Sequence, residues 1–262
     1  MNSQLLESYR EENDVFGYSQ KYKDIEIYPI KLKDIKYQNL FYKLMCYPKN
    51  YIPDVQIIKM SYLKYILIAV QQTINADSTE MATDLIDFLK YVTKKEVDIT
   101  YKYEGETPTI NNLSLKIIIG NQEFTERNFD DMREIILLQN GLSYEYIEEY
   151  NPELEKFLDF VNRGGSNMTF QDEIFTFCVL MKIGLKEVEN YTLFQFKNLF
   201  EKLLTLKEFD LYKPLVVSGQ ITLKSGEIKH YLYRSVKLGR YDSIKVNKDA
   251  FMQTDVYKET SQ

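Results

Sequence analysis

The side chains that most often catalyse reactions or bind metals are scarce in this sequence. It contains one histidine, His230, and two cysteines, Cys46 and Cys178, which are far apart in the chain. A histidine that acts as a general base needs an oriented carboxylate or nucleophile nearby, and the residues around His230 form no such pattern. Neither cysteine has a second cysteine at zinc-site spacing. We expect a structural or surface role for His230, with catalysis as the alternative.

Adjacent carboxylates are the remaining candidates for acid–base chemistry or for binding a hard cation. They occur at Asp130–Asp131, Glu148–Glu149 and Asp172–Glu173. Neighbouring side chains of a helix point about 100° apart, and the spacing of a calcium loop is absent from the sequence. Solvated helix faces are the simpler interpretation. The sequence also lacks a glycine-rich phosphate loop, so we expect a protein that is not an enzyme, with no catalytic, cofactor-binding or metal site.

Charge and aromatic content bear on nucleic-acid binding. The formal net charge is −6, whereas neutralising phosphates requires clustered lysine and arginine side chains. The 22 tyrosines offer rings for stacking on single-stranded nucleic acid. Most of them, however, fall in predicted strands or on apolar helix faces, where the ring is buried and the hydroxyl stays wet. We therefore expect no nucleic-acid partner.

Targeting signals are missing from the sequence. No apolar run approaches the roughly 20 residues that cross a bilayer, and residues 1–10 lack the basic start and apolar middle of a signal peptide. Two isolated cysteines fit a reducing compartment. These features predict a cytoplasmic location and no membrane partner.

The periodicity of apolar residues predicts an α+β protein that is predominantly helical, with an inserted β-hairpin block and a C-terminal β-hairpin. We divide the chain into a mixed α/β region (1–95), the inserted β-block (96–125), a helical region (126–212) and a basic C-terminal hairpin with its tail (213–262). The boundaries follow the change from helical to alternating periodicity and back.

The mixed region begins with a predicted first or edge strand at Ile25 to Leu32. Asp34 is a candidate cap for a helix that ends near Tyr47–Pro48. A second helix is expected from beyond Pro53 to about Thr73. A third starts near Ser78 and places four apolar residues on one face: Leu85, Phe88, Leu89 and Val92.

The β-block alternates apolar and polar residues along two predicted strands, 97–103 and 113–119, and a turn at Gly120–Asn121 leads into Gln122 to Phe124. The helical region follows. Asn128 is its candidate first cap and Gly141 the first helix stop.

Three further helices are predicted in the helical region. Asn151–Pro152 starts one that ends at Gly164–Gly165. Thr169 precedes Phe170 to Ile183, which has almost no polar face and therefore belongs in the core or under a partner. Thr192 and Gln195 have capping-box spacing ahead of an amphipathic stripe from Phe196 to Leu204.

Pro214 marks the predicted change to a hairpin, with strands at Leu215 to Leu223 and Ile228 to Tyr233 around Lys224 to Glu227. Residues 213–262 carry 9 basic and 5 acidic side chains. A basic and aromatic cluster in this segment either binds an acidic protein surface, including the acidic helices of the same chain, or is a solvated hairpin. Its members are Lys229, His230, Tyr231, Tyr233, Arg234, Lys237, Arg240, Tyr241 and Lys245.

Five segments resemble phage-encoded tail-assembly proteins of Gram-positive hosts, of the tail assembly chaperone type. They are Tyr28–Leu32, Asn128–Phe129 through Gln139–Leu142, Thr169–Phe175, Tyr191–Phe196 and Ser225–Tyr231. The resemblance implies a non-enzymatic protein, made in the host cytoplasm, that keeps the helical tape measure protein soluble while the tail tube assembles. The strand block and the hairpin after Pro214 make the chain larger than a minimal helical binder of this kind.

The resemblance also implies that apolar surface is shared with a partner helix, although the same helices would serve equally well as core. The candidate partner-binding residues are Phe175, Val179, Phe196, Phe200, Tyr231, Tyr233, Arg234, Arg240 and Tyr241. One alternative is a structural subunit that stays in the mature tail or baseplate. Another is a nucleic-acid-binding or enzymatic accessory protein.

Overall fold

A computed structural model describes residues 9–47, 49, 57, 59–70, 80–103, 113–142 and 169–219 of the chain. The described part combines helices with two small antiparallel sheets, which confirms the predicted α+β class. The elements, in chain order, are α1 (Glu11–Phe16), β1 (Gln20–Tyr22), β2 (Ile25–Ile27), α2 (Ile35–Met45), α3 (Tyr62–Lys64, continued by a π-helix over Tyr65–Val70), α4 (Glu80–Thr93), β3 (Val97–Tyr103), β4 (Leu113–Ile119), β5 (Gln122–Thr125), α5 (Glu126–Gln139), α6 (Phe170–Met181), α7 (Leu185–Val188) and α8 (Leu193–Val217).

The predicted first strand is shorter than expected and has a partner that the prediction missed. Strand β2 ends at Ile27 and pairs with β1, with Gln20 opposite Ile27. The next residue, Tyr28, donates its N–H to the Val92 carbonyl of α4 at 2.7 Å, and Pro29 has no N–H to donate. The polar sequence of β1 has none of the β-branched residues that mark strands, so its pairing depends on β2.

Helices α2 and α4 form where the sequence predicts them and pack on each other. The rings of Tyr37 and Tyr91 stack with centroids 3.8 Å apart, and Lys43 bonds the carboxylates of Glu80 and Asp84. Asp34 precedes α2 as predicted, but its side chain does not cap the helix. It accepts a 2.5 Å hydrogen bond from the Tyr91 hydroxyl instead, which links the start of α2 to α4.

The second predicted helix is described only from residue 57 onward, with gaps. Its regular part begins at α3, where the Ser61 side chain accepts from the Lys64 N–H. The expected start beyond Pro53 and the expected end near Thr73 lie outside the described residues.

The predicted strands of the β-block form the second sheet in the order β3-β4-β5. Val97 is opposite Ile119 and Tyr103 is opposite Leu113. Gly120, at φ 59°, makes the tight turn into β5, as predicted. One face of β4 is buried: Leu113, Leu115, Ile117 and Ile119.

Helix α5 begins three residues earlier than predicted. Thr125 is its N-cap, and its side chain accepts from the Asn128 N–H while the Asn128 side chain accepts from the Thr125 N–H. Asn128 is therefore the third helical residue of a capping box and not the cap itself. Gly141, at φ 78°, follows the helix end as predicted.

The polar end of α5 is buried and holds the N-terminal segments. The Gln139 side chain donates to the carbonyls of Ile27 (2.9 Å) and Tyr18 (3.2 Å). The Asn140 side chain accepts from the Ile30 N–H at 3.1 Å, and the Ile30 carbonyl accepts from the Leu193 N–H at 3.0 Å. The single buried residue Ile30 thus connects the end of α5 to the start of α8.

Helices α6 and α8 both start with capping boxes, Thr169 with Asp172 and Thr192 with Gln195, and the second was predicted as such. The prediction that the helical region ends before Pro214 is wrong. Helix α8 continues through Pro214 to Val217, and Ser218 donates to the Pro214 carbonyl at 2.9 Å.

Two predicted elements lie partly or wholly outside the described residues. The predicted strand from Leu215 is wrong at its start, because Leu215 to Val217 belong to α8, and the rest of the predicted C-terminal hairpin falls in residues 220–262, outside the described part. The helix predicted from Asn151–Pro152 also lies outside it.

The buried apolar residues that are described form one cluster, to which α2, α4, α5, α6, α8 and both sheets contribute. No helix in the described ranges has the length and apolarity for a bilayer crossing.

Replacing Asn140 by alanine tests the connection through Ile30. The substitution leaves the buried Ile30 N–H without its acceptor, which costs about 1–3 kcal/mol of unfolding free energy. Urea denaturation measures this loss. Asn190→Ala is the matched control, because Asn190 is exposed and its loss should change stability by no more than about 0.5 kcal/mol. Equal effects of the two substitutions would contradict the role of Asn140.

Candidate protein-binding surface

Four phenylalanine rings attach α6 to α8. Phe177 of α6 meets Phe196 and Phe200 of α8 edge to face, with centroids 5.3 and 6.3 Å apart. Phe196 and Phe200 are stacked at 5.7 Å, and Phe170 meets Phe196 at the same distance. Edge-to-face contacts suit the charge distribution of aromatic rings. The cluster therefore sets which side of α6 faces the protein and which faces solvent.

The opposite side of α6 is apolar and exposed. Phe175 is 55% exposed and Val179 is 74% exposed. The two residues are four positions apart, so they are neighbours on one face of the helix. We call this pair the α6 face. A helix of this composition normally has its apolar residues covered on all sides, and here one side is open.

The second half of α8 is also poorly covered. Leu203 is the last buried residue of the helix, and none of residues 204–217 is buried. We call residues 204–217 the α8 extension; 14 residues of helix span roughly 21 Å. Four large apolar side chains of the extension are exposed: Leu204, Leu211, Tyr212 and Val217.

The predicted partner-binding residues separate into three groups in the structure. Phe175 and Val179 lie on the surface. Phe196 and Phe200, at 1% and 6% exposure, are in the core against Phe177, so the expectation that they offer surface to a partner is corrected. The remaining five lie outside the described residues, as does His230: Tyr231, Tyr233, Arg234, Arg240 and Tyr241.

The predicted amphipathic stripe ends at Leu204, so the prediction misses the exposed side chains further along the α8 extension. It ends the helical region before Pro214 and places a strand from Leu215 onward. The helical spacing of Leu204 and Leu211, two turns apart, was the available signal. It indicates that the stripe continues beyond the part of α8 that the core covers.

The Asp130–Asp131 pair holds secondary-structure elements together. Asp130 accepts from the Tyr62 N–H at 3.2 Å, and Asp131 accepts from the Tyr22 hydroxyl at 3.0 Å. Both are partly buried, which corrects the expectation of freely solvated faces, and burial raises the pKa of Asp130. The Thr169 hydroxyl and N–H both donate to the Asp172 carboxylate in the capping box, and these hydrogen bonds lower the pKa of Asp172. Glu148–Glu149 lies outside the described residues.

A second group of ionisable side chains lies where α3 meets α5. The Arg133 guanidinium stacks over the Tyr62 ring at 3.6 Å and donates from Nε to the Met45 carbonyl at 2.8 Å. The Lys49 ammonium donates to the Met60 carbonyl, and burial lowers the pKa of Lys49. Within the described ranges, no group of three or more histidine, cysteine, aspartate and glutamate side chains could hold a metal ion.

The reactivity of Cys46 tests whether the side chains of Arg133 and Lys49 activate a nucleophile. Burial raises the pKa of Cys46 to about 12, despite the opposing charge of Arg133. Only about one thiol in ten thousand is then ionised at pH 8, and native Cys46 should react far more slowly than a free cysteine. Labelling of the Cys178→Ser variant with a disulfide reagent measures this rate, with the urea-unfolded protein as control. Rapid labelling of the native protein would show an activated thiol.

Phe175 and Phe177 provide a matched pair for the orientation of α6. Phe177→Ala removes a fully buried ring and should cost about 3–5 kcal/mol of unfolding free energy. Phe175→Ala removes an exposed ring and should stay within about 0.5 kcal/mol of wild type. Chemical denaturation of both variants measures the difference. Reversed or equal costs would mean that α6 buries its other face.

One comparison with known proteins finds a match. Residues 162–235 match the family model described as the YomV second domain, a family related to phage (Bacillus phage SPBc2 YomV). No curated protein and no solved structure matches the chain. The matched range contains α6, α7 and α8. The α6 face and the α8 extension therefore lie in the segment that is similar to a phage-derived domain family.

Proposed function

We propose that this chain is a phage protein that binds other proteins during tail assembly, with the tape measure protein as its main partner. The α6 face and the α8 extension are the proposed contact surface. The protein acts without covalent chemistry, needs no cofactor, and works in the host cytoplasm where tails assemble. The observation that carries the proposal is the exposure of large apolar side chains on two helices of the phage-like segment.

The chemistry of the two surfaces suits a helical partner. An apolar helix docks through residues spaced three, four and seven apart, and Leu204 with Leu211 and Phe175 with Val179 have this spacing. Covering such side chains removes apolar area from water at about 25 cal/mol per Å². A tape measure protein, as a long helical molecule, needs its own apolar stripe covered until tube subunits surround it.

The roles of the polar groups support a non-enzymatic function. Asp130, Asp131 and Asp172 accept hydrogen bonds that join or cap structural elements, and the pKa of Cys46 is shifted away from the reactive range. An active site usually shows the opposite, with ionisable groups tuned towards neutral pH. These side chains are better explained as parts of the fold.

The binding prediction concerns the α6 face. In the double variant Phe175→Asp/Val179→Asp, association with the tape measure protein would bury two carboxylates, which is unfavourable. We expect the dissociation constant of the complex to rise at least tenfold, which corresponds to about 1.4 kcal/mol. Co-expression with the tape measure protein of the same phage, co-purification and calorimetry of the complex give the measurement.

Ile35→Asp is the control for the binding experiment. Ile35 is also a large exposed apolar residue, but it lies on α2 outside the phage-like segment, at a helix start where aspartate is favoured. This variant should bind as wild type does. Loss of binding in both variants, or in neither, would argue against the α6 face.

The rival role is a subunit that remains in the mature tail or baseplate. Mass spectrometry of purified phage particles separates the two roles. A transient assembly factor is absent from the particle, whereas a structural subunit is present in stoichiometric amount.

A further inference from the structure

Strand β3 is an edge strand with an exposed outer half. It pairs with β4 on one side, and within the described residues no other strand pairs with it. Its last four residues are all exposed, and Tyr101 reaches 71%. A long, exposed edge strand offers unpaired N–H and C=O groups to another chain. This edge is separate from the α6 face and the α8 extension.

The pairing with β4 determines which backbone groups of β3 point outward. Backbone groups of an antiparallel strand point alternately towards its neighbour and away from it. The Gly120 N–H donates to the Glu96 carbonyl at 2.7 Å, so Glu96 and every second residue after it face β4. The residues whose N–H and C=O groups face the open edge are Val97, Ile99, Tyr101 and Tyr103.

We propose that β3 pairs in antiparallel fashion with β3 of a second copy of this chain, about a twofold axis at Thr100. In this register Asp98 of each copy is opposite Lys102 of the other. Ile99 is opposite Tyr101, and Val97 is opposite Tyr103, so outward-facing residues meet outward-facing residues. The two sheets then form one continuous six-stranded sheet.

The axis at Thr100 follows from hydrogen bonding and charge. A shift of the axis by half a residue would set outward-facing groups against inward-facing ones and break the ladder. Of the remaining registers, the axis at Thr100 pairs all seven residues of β3 and brings opposite charges together twice. An axis one residue away, at Tyr101, pairs only residues 99–103 of β3 and sets Lys102 opposite Thr100, so no opposite charges of β3 meet.

The Asp98 carboxylate changes its partner when the two β3 strands pair. In the single chain it accepts a hydrogen bond from the outward-facing N–H of its neighbour Ile99 at 2.8 Å. When a second β3 pairs, the Ile99 N–H donates to the Tyr101 carbonyl of the other copy. The Asp98 carboxylate is then free to pair with Lys102 of the other copy. The Ile99 N–H and the Asp98 carboxylate therefore each have a partner both before and after association.

Charge reversal tests the proposed register. Asp98 and Lys102 of one chain are about 13 Å apart along the strand, so they cannot pair with each other. Asp98→Lys and Lys102→Asp each set like charges against each other and should raise the dimer dissociation constant at least tenfold. The double variant Asp98→Lys/Lys102→Asp restores opposite charges and should restore the dimer. Sedimentation equilibrium of the full chain at low salt gives the constants.

Glu123→Lys is the control for charge reversal, because Glu123 lies on β5, away from the β3 edge, and should leave the dimer intact. A wild-type chain that stays monomeric over the whole concentration range would overturn the proposal. A dimer that neither single reversal weakens, or that the double reversal fails to restore, would also overturn it.

Cross-linking gives a second readout that does not depend on the charge variants folding. Thr100 faces its own copy across the axis in a non-hydrogen-bonded pair, with Cα atoms about 4.5 Å apart, within the range of a disulfide. Oxidised Thr100→Cys should form a covalent dimer. Lys102→Cys should not, because the two copies of position 102 lie too far apart. Cross-linking through position 102 in preference to position 100 would exclude this register.

Discussion

The peptide groups of Ile30 are the constraint on which the arrangement of this protein depends. The residue is fully buried, its N–H is bonded to Asn140 at the end of α5, and its carbonyl is bonded to the Leu193 N–H at the start of α8. A neighbouring hydrogen bond adds to this connection, because the Leu32 N–H donates to the Tyr191 carbonyl at 2.9 Å. Buried backbone groups without partners are costly, so these bonds hold the start of α8 in one position.

Anchoring α8 at its first turn determines how the helix is used. The capping box of Thr192 and Gln195 closes that turn, and Gln195 also donates to the Val15 carbonyl at 3.0 Å. Gly17 approaches Thr192 so closely that an added Cβ would lie 3.0 Å from its methyl group. The anchored half of α8 packs with Phe177, whereas the half beyond Leu203 has no buried residue. One helix thus provides both core and exposed surface.

Tyrosine and carboxylate side chains form much of the polar framework of the fold. The hydroxyl of Tyr22 bonds to Asp131 and that of Tyr91 bonds to Asp34, across different elements. Burial and these carboxylates raise the pKa values of both tyrosines, so the hydroxyls remain protonated donors at neutral pH. Tyr22 and Tyr91 therefore have structural roles in the fold.

Local interactions explain what the sequence alone determined. The strands of the β-block, the Gly120 turn and the capping box at Thr192 depend on residues close together in the chain, and all were predictable. Tertiary packing decided the rest. Phe175 and Phe177 have the same local preferences, and only the ring cluster from α8 buries one and leaves the other exposed. A sequence pattern shows that a helix is apolar, but which face is covered depends on residues brought together from distant parts of the chain.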